Sequence, residues 1–149
     1  KAYFDYWETY TMSHRTRLEE AFADRIASRW RSWAKVSHRV YPPECFGPAV
    51  DLLARARQAA AADRESAARV EFLQLGLDHA MLCARVSAQL TLADPAATPE
   101  RGAGALEQLL RFRRAHERKW IGNFNHNAWV EELSWKLSSE TKQAPDLYP

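Results

Sequence analysis

Hydrophobic positions recur along this chain at intervals of three and four, the period of a helix face, and no stretch alternates apolar and polar residues as a half-buried strand would. β-branched residues are sparse and hairpin turn signals are missing, so the pattern predicts an all-α fold, a helical bundle of about five to six helices. Over residues 1–12, Tyr3, Tyr6, Trp7 and Tyr10 fall on one aromatic face, and Thr11 and Ser13 offer a break. Thr16 and Glu19 have the spacing of a capping box, and Leu18, Phe22, Ile26, Trp30 and Trp33 continue behind them as a second helix to about residue 35.

Residues 40–48 contain Pro42, Pro43, Gly47 and Pro48, which interrupt helix, while Pro48 suits the first position of a third helix over 48–62. Asp63 can cap a fourth, in which Val70, Leu73, Leu77, Met81 and Ala84 form one stripe flanked by Phe72, Leu75, Leu82, Val86 and Leu90. A helix of nearly thirty residues, roughly 40 Å long, that is apolar over so much of its surface is expected at the centre of the bundle. Asp94 and Pro95 end it, and Thr98, Pro99 and Glu100 supply the cap, first position and first-turn charge of a fifth helix to about residue 120. Gly102 and Gly104 weaken its first turns by up to about 1 kcal/mol each. Gly122 to Asn127 forms a turn, Asn127 caps a last helix to about residue 138, and 139–149 reads as a loose tail.

Composition narrows this picture without changing it. The 149 residues suit a single helical domain, 1–149, that buries roughly 70% of the surface its unfolded chain exposes. Hydrophobic residues at 46% and charged residues at 27% are globular values. Lys and Arg number 21 against 19 Asp and Glu, so any pull toward nucleic acid must come from a local patch. No apolar run approaches the ~20 residues that span a bilayer, and no membrane partner is expected. The chain opens on Lys1 and enters a patterned segment at once, which suggests a piece of a longer protein. Cys45 and Cys83 lack the spacing of a metal or redox motif and read either as two buried thiols, the favoured reading, or as one disulfide.

Candidate chemistry is thin. Across the turn near residue 120, Trp120, Asn123, Asn125, His126, Asn127 and Trp129 alternate amides with aromatics, a combination that suits the hydroxyls and apolar faces of a sugar. These six are the candidate ligand-binding residues, although capping and turn-forming Asn account for part of the pattern. His79 and Cys83 lie one turn apart and can both ligate zinc, but two ligands do not make a site, and burial in the core is the simpler reading. His14, His38 and His116 sit among Arg and Lys and read as surface residues. The carboxylate pairs Glu19/Glu20 and Glu131/Glu132 are helix neighbours about 100° apart and cannot flank one scissile bond. No G-x-S-x-G, phosphate-cradling Gly loop or HExxH occurs, so no catalytic residue, metal site or cofactor is assigned. Two basic stretches, Arg25, Arg29, Arg31, Lys35, His38, Arg39 and Arg111, Arg113, Arg114, Arg118, Lys119, offer phosphate contacts. Interspersed Asp24, Glu107 and Glu117 weigh against that, and nucleic-acid binding is not expected.

Four segments carry a resemblance: Tyr3-Phe4-Asp5-Tyr6-Trp7-Glu8, Tyr41-Pro42-Pro43-Glu44, Leu52-Leu53-Ala54-Arg55-Ala56 and Arg69-Val70-Glu71-Phe72-Leu73. Together, across about residues 1–135, the chain resembles the C-terminal helical region of a bacterial domain-of-unknown-function family similar to glycoside hydrolases, with an α-glucuronidase-like layout. The resemblance implies a (β/α)₈ barrel ahead of this segment that carries the catalytic carboxylates. It implies for this chain a non-catalytic accessory domain that packs on the barrel, assists dimerisation, edges a carbohydrate cleft and belongs to a secreted or periplasmic protein. The alternative from residue chemistry alone is a free-standing regulatory or nucleic-acid-binding module.

Overall fold

A computed structural model describes residues 1–23, 36–92, 100–124 and 127, and among them helices are the only regular secondary structure. In chain order these are α1 (Ala2–Ser13), α2 (Arg15–Phe22), α3 (Phe46–Ala59), α4 (Arg64–Leu92) and α5 (Glu100–His116). Residues 36–40 are also helical, and 3₁₀ turns at Pro43–Cys45 and Glu117–Lys119 precede α3 and follow α5. The fold is the all-α bundle that the period of three and four requires, and it contains one long helix.

That helix, α4, is central because its apolar residues meet partners on two sides. One cluster joins Leu77 and Ala84 of α4 to Cys45, Phe46, Ala49 and Leu53 at and after the 3₁₀ turn. A second joins Val86 of α4 to Ala105, Leu106 and Leu109 of α5. Two packed faces on one helix explain why its apolar residues extend around most of the circumference rather than along a single stripe. Phe72 is the exception and stays 49% exposed near the N-terminal end.

α4 starts where the sequence places it. Asp63 Oδ2 accepts from the backbone N–H of Ser66 at 3.0 Å, and the Asp63 carbonyl accepts from Ala67 N–H, the arrangement of an N-cap. Asp63→Ala is expected to lower stability by about 1 kcal/mol, read from the urea midpoint, with no change in helical circular dichroism.

α1 lies over the 36–46 connection through its aromatic face. Tyr3, Tyr6, Trp7 and Tyr10 are half-buried against the first cluster, and the Trp7 indole meets the edges of Tyr41 and Phe46 at centroid separations of 5.7 and 5.9 Å. The polar tips of these rings are satisfied by backbone: Tyr6 donates to the Cys45 carbonyl at 2.5 Å and Tyr10 to the Val40 carbonyl at 2.8 Å. Those two bonds tie α1 to a segment thirty or more residues away.

Several boundaries differ from the sequence reading: α3 ends at Ala59 rather than 62, α5 at His116 rather than about 120, and three helix starts shift. α2 begins at Arg15 with His14 in the cap position, so Thr16 lies inside the first turn. Glu19, expected to complete a capping box, instead accepts from Arg15 Nε at 2.8 Å. The break between α1 and α2 is the single residue His14, which leaves no room for a separate cap. α3 begins at Phe46 rather than Pro48, since the third helical residue, like the first, needs no N–H for the intrahelical ladder and a proline fits there. Asn127 is already helical, its N–H donating to the Asn123 carbonyl at 3.0 Å, so Asn123 takes the cap position assigned to Asn127. The other residues assigned to the second helix, Ile26, Trp30 and Trp33 among them, lie outside the described residues, as do Thr98, Pro99 and all of 128–149.

Candidate functional site

Helix α5 places Ala105, Leu106, Leu109 and Arg113 along the side that faces α4, and the last of these is charged. Arg113 is 1% exposed, as deeply buried as the leucines before it. Its Nε donates to His79 Nε2 at 3.0 Å, and its Nη2 donates to Cys83 Sγ at 3.6 Å, so one guanidinium ties α5 to two successive turns of α4. The Phe124 ring lies beneath the guanidinium, 5.7 Å from its carbon, and also contacts the His79 imidazole at 5.1 Å. Phe112 also stacks on His79, at 6.0 Å.

Electrostatics fix the state of this cluster. Burial first, and the Arg113 charge second, lower the His79 pKa from 6.5 to about 4, so the imidazole is neutral at physiological pH. Because Nε2 accepts from Arg113, the ring proton sits on Nδ1. The Cys83 sulfur is 3.6 Å from the same Nε2, a distance that invites comparison with a Cys–His catalytic dyad. The chemistry does not follow, because the lone pair that would take the thiol proton already faces a guanidinium. Among the described residues, no group of three or more His, Cys, Asp or Glu is disposed to hold a metal ion. The cluster is a polar clamp between α4 and α5.

The sequence placed Arg113 in a basic surface stretch, and the structure moves it inside. The signal was present, since Leu106, Leu109 and Arg113 are spaced three and four apart and continue the apolar side of α5. Of the rest of that stretch, Arg111 pairs with Glu107 at 2.5 Å and Lys119 with Glu71 of α4 at 3.2 Å, while Arg114 and Arg118 are exposed. Of the first basic stretch, Arg25, Arg29, Arg31 and Lys35 lie outside the described residues.

The three histidines read as surface groups are each half-buried. His14 stacks on Tyr10 at 4.1 Å, with Nδ1 2.9 Å from the Tyr10 carbonyl. His38 Nδ1 pairs with the fully buried Ser87 hydroxyl at 2.9 Å, and burial, then the Arg39 charge, lower its pKa. His116 packs against Phe112 at 4.5 Å and its buried Nδ1 has no hydrogen-bond partner. Sequence reasoning missed these because neighbouring Arg and Lys say nothing about which face of a helix a residue occupies. Cys45 and Cys83 are not bonded to each other, the first being buried and the second half-buried.

The candidate turn is described in part. Trp120 is 86% exposed and adopts a left-handed backbone with φ of 55°, unusual for a residue with a bulky side chain. Asn123 is exposed and Asn127 half-buried, while Asn125, His126 and Trp129 lie outside the described residues. On either side of Trp120, Lys119 forms an exposed ion pair with Glu71 and Phe124 is buried beneath Arg113. The indole between them has almost no intramolecular packing.

No described helix is long and apolar enough to cross a membrane. The chain matches no protein-family profile, and neither a curated protein nor a solved structure shows significant similarity to it.

Proposed function

We propose that this chain is a non-catalytic helical accessory domain of a carbohydrate-active, glycoside-hydrolase-like protein, docking through the Trp120 end of the bundle onto an adjoining catalytic barrel. The observation that carries the docking role is Trp120 itself, 86% exposed, just before the buried Phe124. Large aromatic side chains on pre-organised backbone are the residues that dominate interface energetics, because little conformational freedom remains to be lost on association. The carbohydrate context comes from the sequence resemblance. The closed state of the His79–Cys83–Arg113 cluster supports an accessory rather than a hydrolytic role, since its base is occupied and its cation buried.

A nucleic-acid-binding role draws less support, with Arg113 inside the bundle and Arg111 and Lys119 each facing a carboxylate. The docking role is tested by expressing this chain and the adjoining barrel as separate polypeptides and measuring their association by calorimetry. Trp120→Ala is expected to weaken binding by about 2 kcal/mol, roughly 30-fold, with circular dichroism unchanged. Equal affinity for native and variant chains would reject Trp120 as the anchor.

A further inference from the structure

The side of α4 that α5 covers continues past the end of α5. His79 and Val86 lie on that side, and stepping from His79 toward the N-terminus by the same interval brings Phe72, and then Ala68, within roughly 20° of His79 around the helix axis. α5 stops at His116, and Lys119 beyond it reaches Glu71, roughly 80° to one side of this row. Val86 at the covered end of the row is fully buried, whereas Phe72 is 49% exposed and Ala68 is exposed as well.

The chain itself delivers an occupant to this place. Phe124 is buried with its ring 5.1 Å from the His79 imidazole, and the Asn127 N–H donates to the Asn123 carbonyl, so a helical turn begins beside the row. The residues that follow carry Trp129, Val130, Leu133 and Leu137 at helical spacing, with polar residues such as Glu131, Glu132 and Ser134 between them. A helix of about twelve residues is marginal in water unless its apolar stripe is packed. The lengths agree, since Phe72 is ~10 Å from His79 along α4 and Leu133 is ~13 Å from Phe124 along a helix. From these placements we infer that residues 127–138 pack along α4 as an amphipathic helix, laying the stripe of Trp129 and Leu133 over Phe72 and Ala68 where α5 no longer covers them. The inference concerns the chain alone and does not rest on docking to a barrel.

Amide hydrogen exchange of the full chain, mapped by peptide at a low and a high protein concentration, tests this. Amides of 129–137 should be protected roughly 100-fold over an unstructured peptide, equally at both concentrations. Phe72→Ser, at a site outside both core clusters, should lower that protection about tenfold while amides of α3 and α5 keep theirs. Leu133→Ser should have the same effect, and the double variant no larger one, because each substitution removes the same contact. Unprotected amides over 129–137 in the native chain would overturn the proposal. So would protection indifferent to Phe72→Ser, which would place the segment elsewhere, or protection that rises with concentration, which would make a second copy the occupant. The first and last of these are read on unsubstituted protein, so the result stands even if a variant fails to fold.

Discussion

Leu53→Ala is expected to lower the unfolding free energy by about 3 kcal/mol, within the range of 2–5 seen when a buried leucine is truncated. Leu53 lies on α3, is 1% exposed, and belongs to the cluster that joins Leu77 and Ala84 of α4 to Phe46 and Ala49. Truncation removes apolar surface from the core and leaves a cavity that neither helix can close without losing its other contacts. Urea denaturation should show the midpoint lowered by ~1–2 M with an unchanged slope. A loss below 1 kcal/mol would mean that α3 and α4 do not share the core described.

The legibility of this core in the sequence depended on how each residue reports its surroundings. Leucines, alanines and tyrosines at helical spacing report them directly. The aromatic face of Tyr3, Tyr6, Trp7 and Tyr10 and the central position of α4 followed from periodicity. Asp63 was legible as a cap because a short acceptor before an apolar run has few other uses. Pro48 misled, because proline fits several positions in a first turn and does not distinguish the first from the third. Thr16 misled because a capping motif cannot act when the preceding helix ends one residue away.

The polar clamp was the least legible feature. His79 and Cys83 drew notice as a pair, but the group that decides their chemistry lies thirty residues on, among arginines that resemble a solvated face. Only its register with Leu106 and Leu109 distinguishes Arg113 from Arg111 and Arg114. Of the candidate ligand-binding turn, the sequence singled out Trp120, and the structure added its exposure and its left-handed backbone.

Burying His79 against Arg113 makes the protein acid-sensitive in a defined window. The imidazole pKa is about 4 in the folded chain against 6.5 when unperturbed, so between those values the unfolded chain binds the extra proton. Stability from this group is therefore complete above pH 6.5 and is lost as pH falls toward 4, by an amount on the order of 3 kcal/mol. Denaturation at pH 7.5 and pH 4.5 should show the drop in native protein. His79→Gln, which cannot take up a proton, should show a smaller drop, the difference isolating His79 from carboxylates such as Asp63 whose pKa is also lowered. Equal pH dependence in native and variant chains would mean that the imidazole is not held against the guanidinium.

The closed clamp and the exposed Trp120 are the observations that support the proposed docking role. Purified chain incubated with a panel of aryl glycosides provides the most direct measurement. The expected result is no release of the aryl group above buffer, under conditions where circular dichroism shows the bundle folded. Release that is linear in protein concentration and lost on thermal unfolding would contradict the account.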